Sequence, residues 1–123
     1  MREILFRGKR VDNDEWVIGN SALFFKDTTK IYGELTQWRE IEVIPETVGQ
    51  FTGLTAKNGK KIFEGDIMQL CSACYPCLVY WDGKGWAWKQ NGKRREIDLT
   101  REKMDIIGNI NDYAINEIEE YTE

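Results

Sequence analysis

An all-β fold is predicted for this 123-residue chain by three observations. Glycine outnumbers proline eleven to two while aromatics reach 12%, a mix that suits short strands joined by tight turns. Clusters of Asp, Asn, Gly and Thr recur roughly every 8–12 residues, the spacing of a sandwich or barrel. Between them, apolar and charged residues alternate with the period of two that puts one strand face inward. The length fits one domain, residues 1–123, with enough chain to bury a core without metal or disulfides.

Taken in order, Ile4, Phe6 and Val11 alternate with charge, and Asp12-Asn13-Asp14 is turn chemistry before Trp16–Asn20, a first hairpin. Leu23-Phe24-Phe25 and Lys30-Ile31-Tyr32 flank Asp27-Thr28-Thr29, a second. In Glu40-Ile41-Glu42-Val43 the two apolar residues share one face, and Pro45 ends that strand. The stretch Ile44–Ile67 holds the densest turn punctuation. Asn58-Gly59 can supply two positive-φ positions between Val48–Leu54 and Lys61–Phe63, and Gly65-Asp66 marks a corner into a strand Ile67–Leu70. Leu78–Trp81 and Trp86–Trp88 enclose Asp82-Gly83-Lys84-Gly85, a further hairpin. Arg95–Leu99 alternates again, and Met104–Ile110 supplies the last strand. Ile115 and Ile118 lie at helical spacing in a charged tail, Tyr113–Glu123, which forms one short helix or frays.

The central punctuation also carries a family resemblance. Pro45-Glu46-Thr47-Val48-Gly49-Gln50-Phe51-Thr52-Gly53-Leu54, then Lys57-Asn58-Gly59-Lys60, then Ile62-Phe63-Glu64-Gly65-Asp66-Ile67, resembles the central signature of the YopX family of phage and prophage proteins. Arg2–Gly8 is similar to that family's start and Ile106–Ile110 to its closing strand. The chain departs at Ala56, where the family usually carries an acidic residue, and in its acidic tail, which replaces a Pro-Glu-Leu-Leu-type ending. The resemblance implies coiled β-sheets that include an SH3-like barrel, and an origin in a mobile element. It transfers no catalytic residue.

The net charge of −4 is unevenly distributed. Residues 1–79 carry 10 basic and 11 acidic groups, residues 80–103 carry 7 and 4, and residues 104–123 carry none and 6. A basic hairpin is thus set against an acidic tail. No run of eighteen apolar residues occurs, and Met1-Arg2-Glu3-Ile4 lacks the apolar centre of an export signal, so a location in the cytoplasm of a bacterial host, with no membrane partner, is expected.

Cys71, Cys74 and Cys77 form C-x-x-C-x-x-C, a spacing at which thiolates can converge on one ion. A tetrahedral site needs a fourth ligand, however, and the chain has no fourth Cys and no His. Asp66 or a thiol from a second subunit would have to complete it. An odd cysteine count without an export signal argues for reduced thiols that behave as small hydrophobes. Cys74 and Cys77 flank Tyr75-Pro76 in dithiol spacing, but no helix N-terminus lowers a thiol pKa there. Glu64 and Asp66 pair carboxylates beside a glycine, where capping of the turn by Asp66 is the ordinary reading and acid–base chemistry the alternative. Without His, a G-x-S-x-G turn or a phosphate-cradling glycine loop, the common devices of catalysis are missing, and neither enzyme activity nor a cofactor is expected.

Five tryptophans remain to be placed. Trp86 and Trp88 project from one strand face, with Lys84, Lys89, Lys93, Arg94 and Arg95 around them, and aromatic faces beside cations can stack bases and hold phosphates. Trp86, Trp88, Lys84, Lys89, Arg94 and Arg95 are therefore the candidate binding residues, against the plainer reading that the tryptophans fill the core. The functional expectation is a non-enzymatic binding or assembly protein that self-associates or contacts a phage or host protein. Binding of single-stranded nucleic acid by residues 78–95 is the alternative. The negative charge disfavours it, and the acidic tail could occupy the basic face itself.

Overall fold

The computed structural model describes residues 3–112, and the tail expected to be a short helix or frayed lies outside them. Twelve short strands and single 3-10 turns make up the described chain. They form three antiparallel sheets, each ending on two edge strands, and none closes into a barrel among the described residues. Two compact units can be distinguished along the chain, Met1–Gly53 and Leu54–Glu123.

In the first unit the opening hairpin pairs β1 (Phe6–Lys9) with β2 (Trp16–Gly19), Phe6 opposite Gly19 and Lys9 opposite Trp16. The Asp-Asn-Asp turn forms where the sequence puts it. Arg10 and Asp14 are joined by backbone, Asp14 takes a positive φ of 59°, and Asn13 Oδ1 accepts from the Glu15 amide at 2.9 Å. β1 also pairs with the start of β6 (Gly49–Thr55). The second hairpin joins β3 (Ser21–Phe24) to β4 (Thr29–Tyr32), and β4 continues to β5 (Ile41–Val43). Val43 and Ile31 are buried while Glu42 is exposed, as the period of two requires.

Two glycines let these strands approach closely. A Cβ on Gly8 would come within 3.0 Å of Val43 Cβ, and one on Gly19 within 2.6 Å of the Tyr32 carbonyl oxygen. Their role is contact with backbone and packed side chains, which only tertiary structure reveals.

The second unit begins as β6 ends. Its hairpin, Ala56–Lys60, leads to β7 (Lys61–Phe63) and uses the Asn58-Gly59 pair as expected, with φ of 62° and 74°. The turn is longer than the tightest type: the Ala56 amide donates to the Lys60 carbonyl at 2.7 Å across one 3-10 turn. The chain then forms β8 (Asp66–Gln69), β9 (Cys77–Trp81), β10 (Trp86–Gln90), β11 (Lys93–Glu96) and β12 (Asp105–Asn109), in the sheet order β11-β10-β9-β8-β12. Ala56, Ile62, Met68, Cys77, Val79, Trp88 and Met104 form its buried core. The alternation read through Leu99 stops at Glu96. Asp98 instead caps a 3-10 turn, Leu99–Lys103, by accepting from the Thr100 amide at 2.9 Å, and Leu99 is left exposed.

Candidate functional site on the basic hairpin

At the corner before β8 one carboxylate is held against the backbone. Asp66 is buried, and its Oδ2 accepts from the Phe63 amide at 2.8 Å, tying the chain across Gly65, whose φ is 88°. This is turn capping in a dry environment, where an unpaired amide would be costly.

A second aspartate organises the hairpin β9–β10. Asp82 Oδ1 accepts from the Lys84 and Gly85 amides, each at 2.8 Å, and Oδ2 accepts from Arg94 Nε at 2.7 Å. The two backbone donors, with the Arg94 guanidinium, pull the Asp82 carboxyl down to about 2. One side chain thereby closes the 82–85 turn and fixes an arginine of β11.

Period two then divides the candidate residues between the two faces of the sheet. On one face, Lys84, Lys89 and Arg94 border a shallow basin with Tyr80, Asp82 and Glu96; Trp81 also lines its edge but pairs with Trp86 and shares that residue's face. Lys89 Nζ lies 5.0 Å from the Tyr80 ring centroid, a cation–π distance. Trp86, Trp88 and Arg95 belong to the other face. Trp88 is 3% exposed and packed in the core, so no base can reach its ring in this fold; for Trp88 the core reading holds. Trp86 is half-buried against that core and meets Trp81 edge to face, with centroids 5.1 Å apart. The expected grouping of Lys89 and Arg94 around Trp86 and Trp88 is therefore corrected by the register: Lys89 follows Trp88 by one residue and must point the opposite way.

On the Trp88 face the sheet borders a cavity of about 220 Å³ lined by Leu70, Tyr75, Cys77, Trp88, Arg95 and Met104 among others. The loop over it is held by two glutamine amides. Gln69 Nε2 donates to the Cys74 carbonyl at 2.7 Å and Gln90 Nε2 to the Tyr75 carbonyl at 3.0 Å, while Arg95 Nη1 donates to Gln90 Oε1 at 2.8 Å. This loop overturns the expectation of three reduced thiols. Cys71 and Cys74 are joined by a disulfide, their Cα atoms 5.3 Å apart, which the turn makes possible by bringing the Cys74 amide to the Cys71 carbonyl at 3.0 Å. Of the two pairs in the C-x-x-C spacing, Cys71 and Cys74 join, and Cys74 and Cys77 do not. Cys77 is free and buried, and burial pushes its thiol up to about 11. With two of the three sulfurs bonded to each other, Cys71, Cys74 and Cys77 do not form a ligand set, and Asp66 is committed to its corner.

Three features escaped the sequence reading. Asn91 and Gly92 form the β10–β11 turn with φ of 50° and 77°, a two-residue signal hidden inside a stretch read for its basic charge. Tyr80 is the aromatic group that shares a face with the cations of the basin, while Trp81, half exposed, is paired with Trp86 on the other face. Alternation counted back from Lys89 would have found Tyr80, since Ala87 pairs with it.

Among the described residues, no helix is long and apolar enough to cross a membrane. No curated protein matches this chain. The sequence profile described as YopX protein matches residues 5–114, nearly the whole chain and including every element from β1 to β12; with the central signature and the closing strand inside that match, the chain belongs to the YopX family.

Proposed function

We propose that this chain is a non-enzymatic binding or assembly protein, encoded by a phage or prophage and working in the cytoplasm of a bacterial host through self-association and protein contacts. The observation that carries the reading is that its sheets are open. β3 and β11 are edge strands, each with one side on which no strand pairs among the described residues; β3 ends in Phe24, 69% exposed, and all four residues of β11 are exposed. Such edges pair with another chain unless they are blocked, and exposed aromatic groups beside them favour a protein partner. The SH3-like barrel implied by the family resemblance is proposed for the second unit, whose five-stranded antiparallel sheet is suited in strand number and length to curl toward one. Gel filtration with light scattering across micromolar concentrations tests the main reading. A mass that rises with concentration is expected, and a constant monomer mass would overturn self-association.

One observation favours the second reading, single-stranded nucleic-acid binding: Lys84, Lys89 and Arg94 border one basin with Tyr80, whose ring lies 5.0 Å from Lys89 Nζ. Against it, Arg94 is already paired with Asp82. Titration with a labelled oligonucleotide at two salt concentrations separates the readings, since phosphate contacts must weaken as salt rises. Binding that is lost in Lys89→Ala and in Tyr80→Ala would establish this reading; no binding at low salt would eliminate it.

A further inference from the structure

We infer that the cavity on the Trp88 face is a binding site for a free α-amino acid with a bulky apolar side chain, which enters the cavity while the ammonium and carboxylate stay at its mouth. This site is separate from the self-association proposed above.

The cavity, of about 220 Å³, lies within the second unit and is built from two kinds of residue. Cys77, Trp88 and Met104 are almost fully buried and supply an apolar floor. Leu70 and Tyr75, 45% and 62% exposed, line the same space and bring apolar surface to its rim, where a ligand would cover it. The size selects a single ring or a branched aliphatic group. An apolar cavity of about 150 Å³ holds one benzene, and the further 70 Å³ or so, at about 30 Å³ per water-sized unit, admits two or three more heavy atoms. Those are the atoms that join a ring to an α-amino acid's charged head.

The rim selects the head. Arg95 stands opposite Trp88 in the β10–β11 pair and therefore shares the cavity face. Its Nη1 donates to Gln90 Oε1 at 2.8 Å, and because a guanidinium has five N–H donors, that one bond holds it in place without exhausting it. Asp98 lines the same cavity. The Thr100 side chain and amide, and then Arg95, hold its carboxyl below the usual carboxylate range, so it is ionised at neutral pH. Both charges are felt at the floor: beside the dominant effect of burial, Arg95 pulls the Cys77 thiol down and Asp98 pushes it up. One cation and one anion thus flank one apolar hole. A simple carboxylate would meet Arg95 but be repelled by Asp98, and a simple amine would suffer the reverse, whereas a zwitterion meets both. The rim is also held before any ligand arrives, since Gln90 Nε2 donates to the Tyr75 carbonyl at 3.0 Å and the Cys71–Cys74 disulfide closes the loop that precedes it.

The test titrates the full chain, labelled with nitrogen-15, with three probes that share one ring: phenylalanine, 3-phenylpropanoate, which lacks the ammonium, and phenethylamine, which lacks the carboxylate. Phenylalanine is expected to shift the Trp88 indole signal while leaving those of Trp16 and Trp38, in the first unit, unmoved. It should bind about tenfold more tightly than either of the other two, and glycine, a head without a side chain, should not bind. Arg95→Gln is expected to weaken phenylalanine by about tenfold and to remove its advantage over phenethylamine. Asp98→Asn, which keeps an oxygen for the Thr100 amide, should remove its advantage over 3-phenylpropanoate. Both positions are exposed, and should either variant misfold, the comparison of probes on the unmodified chain stands by itself. No shift at Trp88 up to the solubility of phenylalanine overturns the site. Equal affinities for the three ring probes overturn the amino-acid assignment, as do two folded variants that bind phenylalanine as the unmodified chain does.

Discussion

The two faces of the β9–β11 hairpin are made from alternate residues of the same fifteen or so positions, yet they do different work. On one, Val79, Trp88 and Cys77 are buried in the core; on the other, Tyr80, Lys89 and Arg94 face solvent around a turn closed by Asp82. A single aromatic-and-basic stretch thus supplies the second unit with its largest core side chain and also with its cationic surface. What looks in sequence like one mixed binding motif is two separate devices, and the pleat separates them.

The comparison breaks most visibly if Trp88 is removed. Trp88→Ala should cost about 3–5 kcal/mol, because the ring is almost fully buried and its neighbours Met68, Met104 and Ile62 come from other elements that cannot all collapse into the hole. Trp81→Ala, on a half-exposed ring that meets Trp86 only by its edge, should cost about 1 kcal/mol. Denaturant unfolding of the two variants measures the gap directly. Trp81 shares the Trp88 face of the sheet through its pairing with Trp86 but lies nearer solvent, so equal losses would mean that burial does not grade along that face as described.

How much of this division was legible beforehand depends on the range of the interaction that decides each part. The hairpins were readable because their turns are local: Asp12-Asn13-Asp14, Asn58-Gly59 and Asp82–Gly85 each hold their geometry with side chains and φ angles of their own residues. The same-face placement of Trp86 and Trp88 was readable for the same reason. Which face is inside was not, since it is set by Met68, Met104 and Ile62, which approach from other strands and turns. The close approaches of Gly8 to Val43 and of Gly19 to Tyr32 are long-range too, and glycine in a strand gives no hint of its neighbour. The strand expected through Leu99 failed on a local competitor, the Asp98 cap, which offered the backbone a better partner than continued pairing. The disulfide escaped because count and compartment were weighed while the turn that brings Cys71 to Cys74 was not foreseen.

The Cys77 thiol sharpens the comparison from the buried side. Its displacement upward to about 11 from an ordinary value near 9 lowers the thiolate fraction at neutral pH by roughly a hundredfold. A thiol reagent at pH 8 should therefore label Cys77 in the folded chain far more slowly than in denaturant, and Cys71 and Cys74 should label only after reduction. The sign of the linkage follows: a thiol held neutral in the fold contributes stability that is fully present below its unfolded pKa and lost as pH rises through 11. Rapid native labelling of one unreduced cysteine would place Cys77 at the surface.

The smallest effect belongs to the exposed face and to low pH. Asp82 is depressed to about 2 by the Lys84 and Gly85 amides and by Arg94, so its contribution is present above the usual carboxylate pKa near 4 and disappears as pH falls from there through 2. Asp82→Asn keeps an oxygen that can accept from one or both amides but loses the charge that holds Arg94. The variant should be slightly less stable than the unmodified chain at pH 7 and indistinguishable from it near pH 2. Raising the salt at pH 7 should close part of the same gap, because the pair is exposed to screening, whereas the amide contacts should be largely insensitive to salt. Melting curves of both chains at pH 7, 4 and 2 resolve this. A difference that stays constant across the three would show that the turn depends on the shape of the Asp82 side chain alone, and that Arg94 is held on the basin face by something other than its partner's charge.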